Sequence, residues 1–208
     1  MNGKRLDKIL EGIEIIYAEG DMQAEVTSVV LDSRKVVPGS LFVALKGTKT
    51  DGSQFINQAI DSGAIAIISS ELPQERKQNI TWIKVPDTAV ALGQAASNFY
   101  GNPSSKFRLI GVTGTNGKTT IATLLYQLFT KLGYKCGLFS TISNYVASRE
   151  YPATHTTPDS VQLNSLMAEM VKENCSYVFM EVSSHAIDQK RIRGLKYTGG
   201  IFTNITHD

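Results

Sequence analysis

The chain has 208 residues, enough for one large domain or two small ones, each able to enclose a hydrophobic core. Its 21 Lys and Arg stand against 19 Asp and Glu, a formal charge of +2, so no strong field argues for nucleic acid or an anionic membrane as the main partner. With 42% hydrophobic residues, 19% charged residues and 6 prolines, the composition is too apolar and too evenly mixed for a disordered chain.

The N-terminal run MNGKRLDKILEGIEIIY mixes acidic with apolar residues and has no signal-peptide pattern. No window approaches the ~20 apolar residues of a membrane span. Ser40 to Lys46 alternates as a strand, Ser53 to Ser62 has helical spacing with Gly63 as a stop, and Ala64 to Ser69 reads as a strand covered on both faces. Thr81 to Val85 is a further strand, after which Pro86-Asp87 opens a helix carrying Leu92, Ala95, Ala96 and Phe99 on one stripe. The alternation predicts an α/β layer structure. Gly101-Asn102-Pro103-Ser104-Ser105 is five turn formers in succession and marks a boundary between a domain of residues 1–103 and a second of 104–208.

In the second part, a strand from Phe107 to Val112 leads through a glycine-rich turn to a helix from Lys118 to Leu132. Ile121, Leu124, Leu125, Leu128, Phe129 and Leu132 share one face of that helix. Thr157-Pro158-Asp159 signals another helix, with Thr157 as its cap, running to about Asn174. Tyr177 to Val182 is a strand, and the polar Ser183-Ser184-His185 opens a helix with serine as a favoured cap. Cys136 and Cys175 lie far apart in apolar stretches, as two buried thiols of a reducing compartment rather than a disulfide or zinc pair.

LIGVTGTNGKTT, Leu109 to Thr120, is the most informative segment. Its glycines permit a tight turn whose amides face a phosphate, and the helix start adds its positive dipole end. Gly114, Thr115, Asn116, Gly117, Lys118, Thr119 and Thr120 are therefore the candidate nucleotide site. Lys118 would reach the β- and γ-phosphates as the catalytic cation, and the Thr119 hydroxyl would ligate Mg²⁺. The Walker spacing is not met, because the position five before Gly117 is Val112 and the glycine is displaced to Gly114 or Gly111. Glu181, the single acid of an apolar strand, is the second candidate metal residue; otherwise it is a strand-end carboxylate facing solvent.

Four segments together resemble the Mur ligases: GTNGKTT (114–120), THTTPD (154–159), MEVSSHAIDQKRIRG (180–194) and FTNITHD (202–208). LDSRKVVPGSLFVALKG (31–47) is similar to the UDP-binding domain of that family, whose phosphate loop departs from the Walker form in the same way. EVSSHA followed by Gln189 and Arg191 is most similar to the members that extend UDP-N-acetylmuramoyl-L-alanyl-D-glutamate by a third residue.

The resemblance implies a small N-terminal α/β UDP-binding domain followed by a P-loop ATPase domain with a mainly parallel sheet. It implies a cytoplasmic, ATP- and Mg²⁺-dependent amide ligase of peptidoglycan precursor synthesis, monomeric, with no nucleic-acid or membrane partner. The added amino acid would be meso-diaminopimelate or L-lysine, joined through an acyl phosphate. Leu31, Ser33, Thr48, Lys49 and Thr50 would contact the UDP-sugar; without the resemblance, LDSR is only a polar turn. Thr156, Thr157, Ser183, Gln189 and Arg191 would bind the muramyl dipeptide, and a guanidinium suits a carboxylate or phosphate in any case. His155, where many members carry Asn, reads as a loop residue. Family members continue past FTNITHD to a His-containing segment, a carbamylated lysine and a domain that selects the amino acid. The expectation is thus an N-terminal part with an incompletely covered central sheet, not competent for ligation alone. Two other readings are a P-loop NTPase or phosphotransferase, and a non-catalytic UDP-sugar-binding module.

Overall fold

Alternating short apolar runs and amphipathic segments bury their faces only by layering, and the computed structural model shows two such α/β units, Met1–Phe99 and Tyr100–Asp208. The residues described are 3–46, 51–153 and 156–206.

The first unit contains β1 (Lys4–Arg5), α1 (Leu6–Ile9), β2 (Tyr17–Glu19), β3 (Glu25–Val26), β4 (Ser28–Val30), β5 (Ser40–Val43), α2 (Ile56–Asp61), β6 (Ala64–Ser69), β7 (Thr81–Lys84) and α3 (Thr88–Phe99). Its main sheet runs β2-β7-β6-β5-β4, parallel except for the edge strand β2. The buried run of β6 sits near the middle of that sheet, as its continuous apolarity predicts. The strand expected over residues 40–46 ends at Val43, and the helix expected from Ser53 begins as a 3₁₀ turn, Gly52–Phe55, before α2. Asp87 opens α3 by accepting hydrogen bonds from Ala89 N and Val90 N.

The second unit holds β8 (Arg108–Thr113), α4 (Lys118–Lys131), β9 (Cys136–Phe139), β10 (Ser143–Val146), β11 (Arg149–Pro152), α5 (Ser160–Lys172), β12 (Tyr177–Glu181), α6 (Ser184–Asp188) and β13 (Gly199–Phe202). The strand order is β11-β10-β9-β12-β8-β13; β9, β12, β8 and β13 run parallel, and the β10–β11 hairpin closes one side antiparallel. Two cores cover the two faces. Leu109, Val178, Met180 and Val182 pack with Leu163, Met167 and Met170 of α5, whereas Val112, Leu138 and Phe179 pack with Ala122, Ile121, Leu125 and Phe129 of α4. The period of two therefore assigns Tyr177, Phe179 and Glu181 to the α4 face.

Three expectations are corrected here. Leu124, Leu128 and Leu132 are more than half exposed, because α4 docks through Ile121, Ala122, Leu125 and Phe129 and turns the other ridge outward; α4 also ends at Lys131, one residue before the expected Leu132. The cap of α5 is Asp159, whose carboxylate accepts from Val161 N and Gln162 N, and not Thr157. In the turn at 101–105, Pro103 and Ser104 are buried and Ser104 Oγ accepts from Lys196 N. The cysteines are free and buried in opposite faces of the sheet. Burial pushes both thiols above their usual pKa, which leaves them poor nucleophiles.

Candidate functional site

Strand β8 delivers the chain to the candidate phosphate loop at the carboxyl end of its parallel strands, where open α/β sheets take their ligands. Gly114 has φ +136° and Gly117 φ +85°, and Gly117 ends the turn by starting α4. The first helical bond runs from Ile121 N to Gly117 O, so the amides at 118–120 are the orphan donors of the first turn.

Lys118 folds back over this loop. Its Nζ donates to Gly114 O at 2.7 Å and Thr115 O at 2.9 Å, and it belongs to no ion pair among the described residues. The loop is strapped from outside by residues 203–206. Thr115 N donates to Asn204 O and Asn116 N to Asn204 Oδ1, both at 3.0 Å, while Thr203 Oγ1 donates to Asn116 O at 2.6 Å. Within Gly114 to Thr120 the amides of Thr115 and Asn116 are committed to Asn204, and the helix-start donors remain.

Glu181 ends β12 in register with Val112, immediately before the loop. It is fully buried, so it is not the solvent-facing carboxylate that was the alternative. Its Oε2 accepts from Thr119 Oγ1 at 2.8 Å and from Thr141 Oγ1 at 3.1 Å, and Oε1 accepts from Thr141 N at 2.8 Å. No Lys, Arg or His forms an ion pair with it among the described residues. A buried carboxylate held by hydroxyls and one amide, with no cationic side chain, is an incomplete electrostatic set that a divalent cation completes. Mg²⁺ is commonly bound through one or two carboxylates with phosphates and water, and Glu181 with the Thr119 hydroxyl is the donor pair that could hold it.

The candidate dipeptide residues of this unit gather beside Glu181. Thr157 is buried, its Oγ1 donating to Glu181 O at 3.0 Å and accepting from Ser183 N at 3.3 Å. Thr156 Oγ1 lies 3.1 Å from Thr141 Oγ1. Arg191 sends Nε and one terminal nitrogen to Gln189 Oε1 and the other to Thr157 O, forming no ion pair among the described residues. Ser183 Oγ caps α6 by accepting from Ala186 N. In the first unit, Leu31 and Ser33 sit in the turn between β4 and β5, where Asp32 accepts from Arg34 N and the buried Ser33 donates to Gln58 Oε1 at 2.8 Å. Thr48, Lys49, Thr50 and His155 lie outside the described residues. Sequence reasoning gave no role to Thr141, Thr203 or Asn204; the only available signal was that the last two stand in FTNITHD.

Residues 112–208 match the Mur ligase middle domain, and residues 25–100 match the model described as Mur ligase family, catalytic domain. A UDP-N-acetylmuramoyl-L-alanyl-D-glutamate–2,6-diaminopimelate ligase of Bacteroides thetaiotaomicron is 54% identical over 203 residues, and that of Clostridium perfringens is 41% identical over 203; each alignment covers 98% of this chain and 42% of the relative. A solved structure of a UDP-N-acetylmuramoyl-L-alanyl-D-glutamate–2,6-diaminopimelate ligase matches with a TM-score of 0.81 at 28% identity, covering 99% of this chain and 41% of that one. A MurF ligase from Thermotoga maritima in complex with ADP matches with a TM-score of 0.51 at 27% identity, covering 76% and 32%. The chain thus spans 42% of the length of these curated relatives, and it belongs to the Mur ligase family.

Proposed function

We propose that this chain supplies the substrate-binding and ATP-binding parts of a ligase that joins 2,6-diaminopimelate to UDP-N-acetylmuramoyl-L-alanyl-D-glutamate, in the cytoplasm and as a monomer. The relatives' names supply the substrates. The observation that carries the reading is the Lys118, Thr119 and Glu181 constellation on the displaced-glycine loop. UDP-sugar recognition falls to the first unit, through Leu31, Ser33, Thr48, Lys49 and Thr50. Nucleotide chemistry falls to the second.

Phosphoryl transfer of this kind depends on positioning and charge neutralisation. Lys118 leaves its loop carbonyls for the β- and γ-phosphates, and the orphan amides of the first turn of α4 donate to phosphate oxygens. Thr119 and Glu181 would hold Mg²⁺, which supplies charge neutralisation at the phosphates when bound. Arg191, steadied by Gln189, would pair with a carboxylate of the dipeptide, with Thr156, Thr157 and Ser183 around it. The D-glutamyl carboxylate takes the γ-phosphoryl group, ADP leaves, and the resulting acyl phosphate is attacked by the incoming amine with loss of phosphate.

The test is product analysis on the protein expressed from the complete gene. The expected result is UDP-muramyl tripeptide and one ADP per amide bond, with 2,6-diaminopimelate required and Lys118→Ala inactive. ADP release at the same rate without the dipeptide would contradict the ligase reading and leave an NTPase.

A further inference from the structure

We propose that Thr141 is the positioning residue for the Glu181 carboxylate, and that its hydroxyl ties this carboxylate to the loop at Thr156. The proposal rests on the nucleotide and cation reading above and adds a residue to it. Thr141 lies just beyond β9, past Ser140, where the chain leaves the sheet. It touches both oxygens of Glu181, giving its backbone N–H to Oε1 at 2.8 Å and its hydroxyl to Oε2 at 3.1 Å. Two donors from one residue fix the plane of a carboxylate, which a single bond leaves free to rotate.

The same hydroxyl lies 3.1 Å from Thr156 Oγ1. The geometry makes Thr141 Oγ1 the donor in both contacts, and its one proton goes to the stronger acceptor, the anionic carboxylate, with Thr156 Oγ1 a second acceptor beside it. The hydroxyl of Thr119 shares Oε2 and sits on the first turn of α4. Glu181 is thereby clamped between the phosphate loop on one side and Thr141 on the other. Fixing the carboxylate before a cation arrives lowers the ordering cost of binding it. Thr141 itself is exposed, so its packing contributes little to the fold.

The experiment titrates Mn²⁺ into the 208-residue chain holding a non-hydrolysable β,γ-imido ATP analogue, with free Mn²⁺ read by electron paramagnetic resonance. Thr141→Val keeps the backbone N–H and removes the hydroxyl. It is expected to weaken Mn²⁺ about tenfold, the weight of one hydrogen bond to a charged acceptor. Thr141→Ser is expected to restore affinity to within about twofold, and Thr156→Val, which spares the bond to Glu181, to stay within about threefold. The melting temperature without cation should stay within about 10 °C of the wild type in all three, so that each variant is folded at the temperature of the titration. Thr141→Val binding as the wild type does, while Glu181→Gln loses the ion, would overturn the positioning role and leave the cation site standing. Thr141→Ser as weak as Thr141→Val would also overturn it. A wild-type chain that binds no more Mn²⁺ than the analogue alone would overturn both this proposal and the nucleotide reading.

Discussion

Replacing Gly114 by alanine tests whether the phosphate loop is held by its strap. At φ +136° the residue lies far from the +50 to +70° basin that L-residues visit, and strain of this kind is worth about 1–3 kcal/mol. The new Cβ would also collide with the Thr203 hydroxyl and lie 2.8 Å from Asn204 O and 3.0 Å from Asn204 N. Two of those neighbours are backbone, so the strap must move. Its bonds from Thr115 N, from Asn116 N and to Asn116 O are then lost, at about 0.5–1.5 kcal/mol each. The total is about 2.5–7.5 kcal/mol. Gly117 is the control: its φ is +85°, but a Cβ there meets nothing within 4 Å, so alanine costs only the backbone term, about 1–2 kcal/mol. At about 4–8 °C per kcal/mol, thermal unfolding followed by circular dichroism should fall by at least about 10 °C for Gly114→Ala, and by about 4–16 °C, always less, for Gly117→Ala. Equal shifts for the two variants would refute the strap.

Other outcomes follow from single contacts. Asn204→Ala removes the acceptor of Asn116 N but keeps the backbone carbonyl that receives Thr115 N, so amide exchange should quicken at Asn116 and stay slow at Thr115. Asp159→Ala should destabilise the chain by about 1 kcal/mol in urea unfolding through loss of the α5 cap, which Thr157→Val would leave intact. The Arg34 guanidinium holds the Asp32 carboxyl at about 2, below its ordinary 3.8. A lowered folded pKa stabilises the fold above the unfolded value, and that contribution fades as pH falls from about 4 toward 2. Asp32→Asn should therefore be the less stable protein at pH 7, with the difference narrowing by pH 2.5, as read by the fluorescence of the buried, single Trp82. Arg34 is 81% exposed, so the effect is small.

Strands whose two faces are both covered were legible, because β6, β8 and β12 advertise continuous apolar runs. The hairpin β10–β11 was not: its turn uses Ala147 at φ +51° where a glycine or asparagine would have signalled it. Strand β13 carries Gly199 and Gly200, which weaken any strand pattern and are held in place by pairing with β8. The α4 stripe shows a limit of periodicity, since six apolar residues at helical spacing do not say which of two neighbouring ridges meets the sheet. Within the site, Lys118, Thr119 and Glu181 could be found because a glycine turn and a solitary acid are local features. Thr141 and Asn204 act across chain separations of 40 and 88 residues, so only the folded sheet brings them to Glu181 and Asn116.

Calorimetric titration of the chain with the β,γ-imido ATP analogue, in Mg²⁺ and then in EDTA, tests the nucleotide assignment most directly. Binding is expected to need Mg²⁺, and to be lost in Lys118→Ala and weakened in Glu181→Gln. Equal binding in EDTA, or in Lys118→Ala, would contradict it.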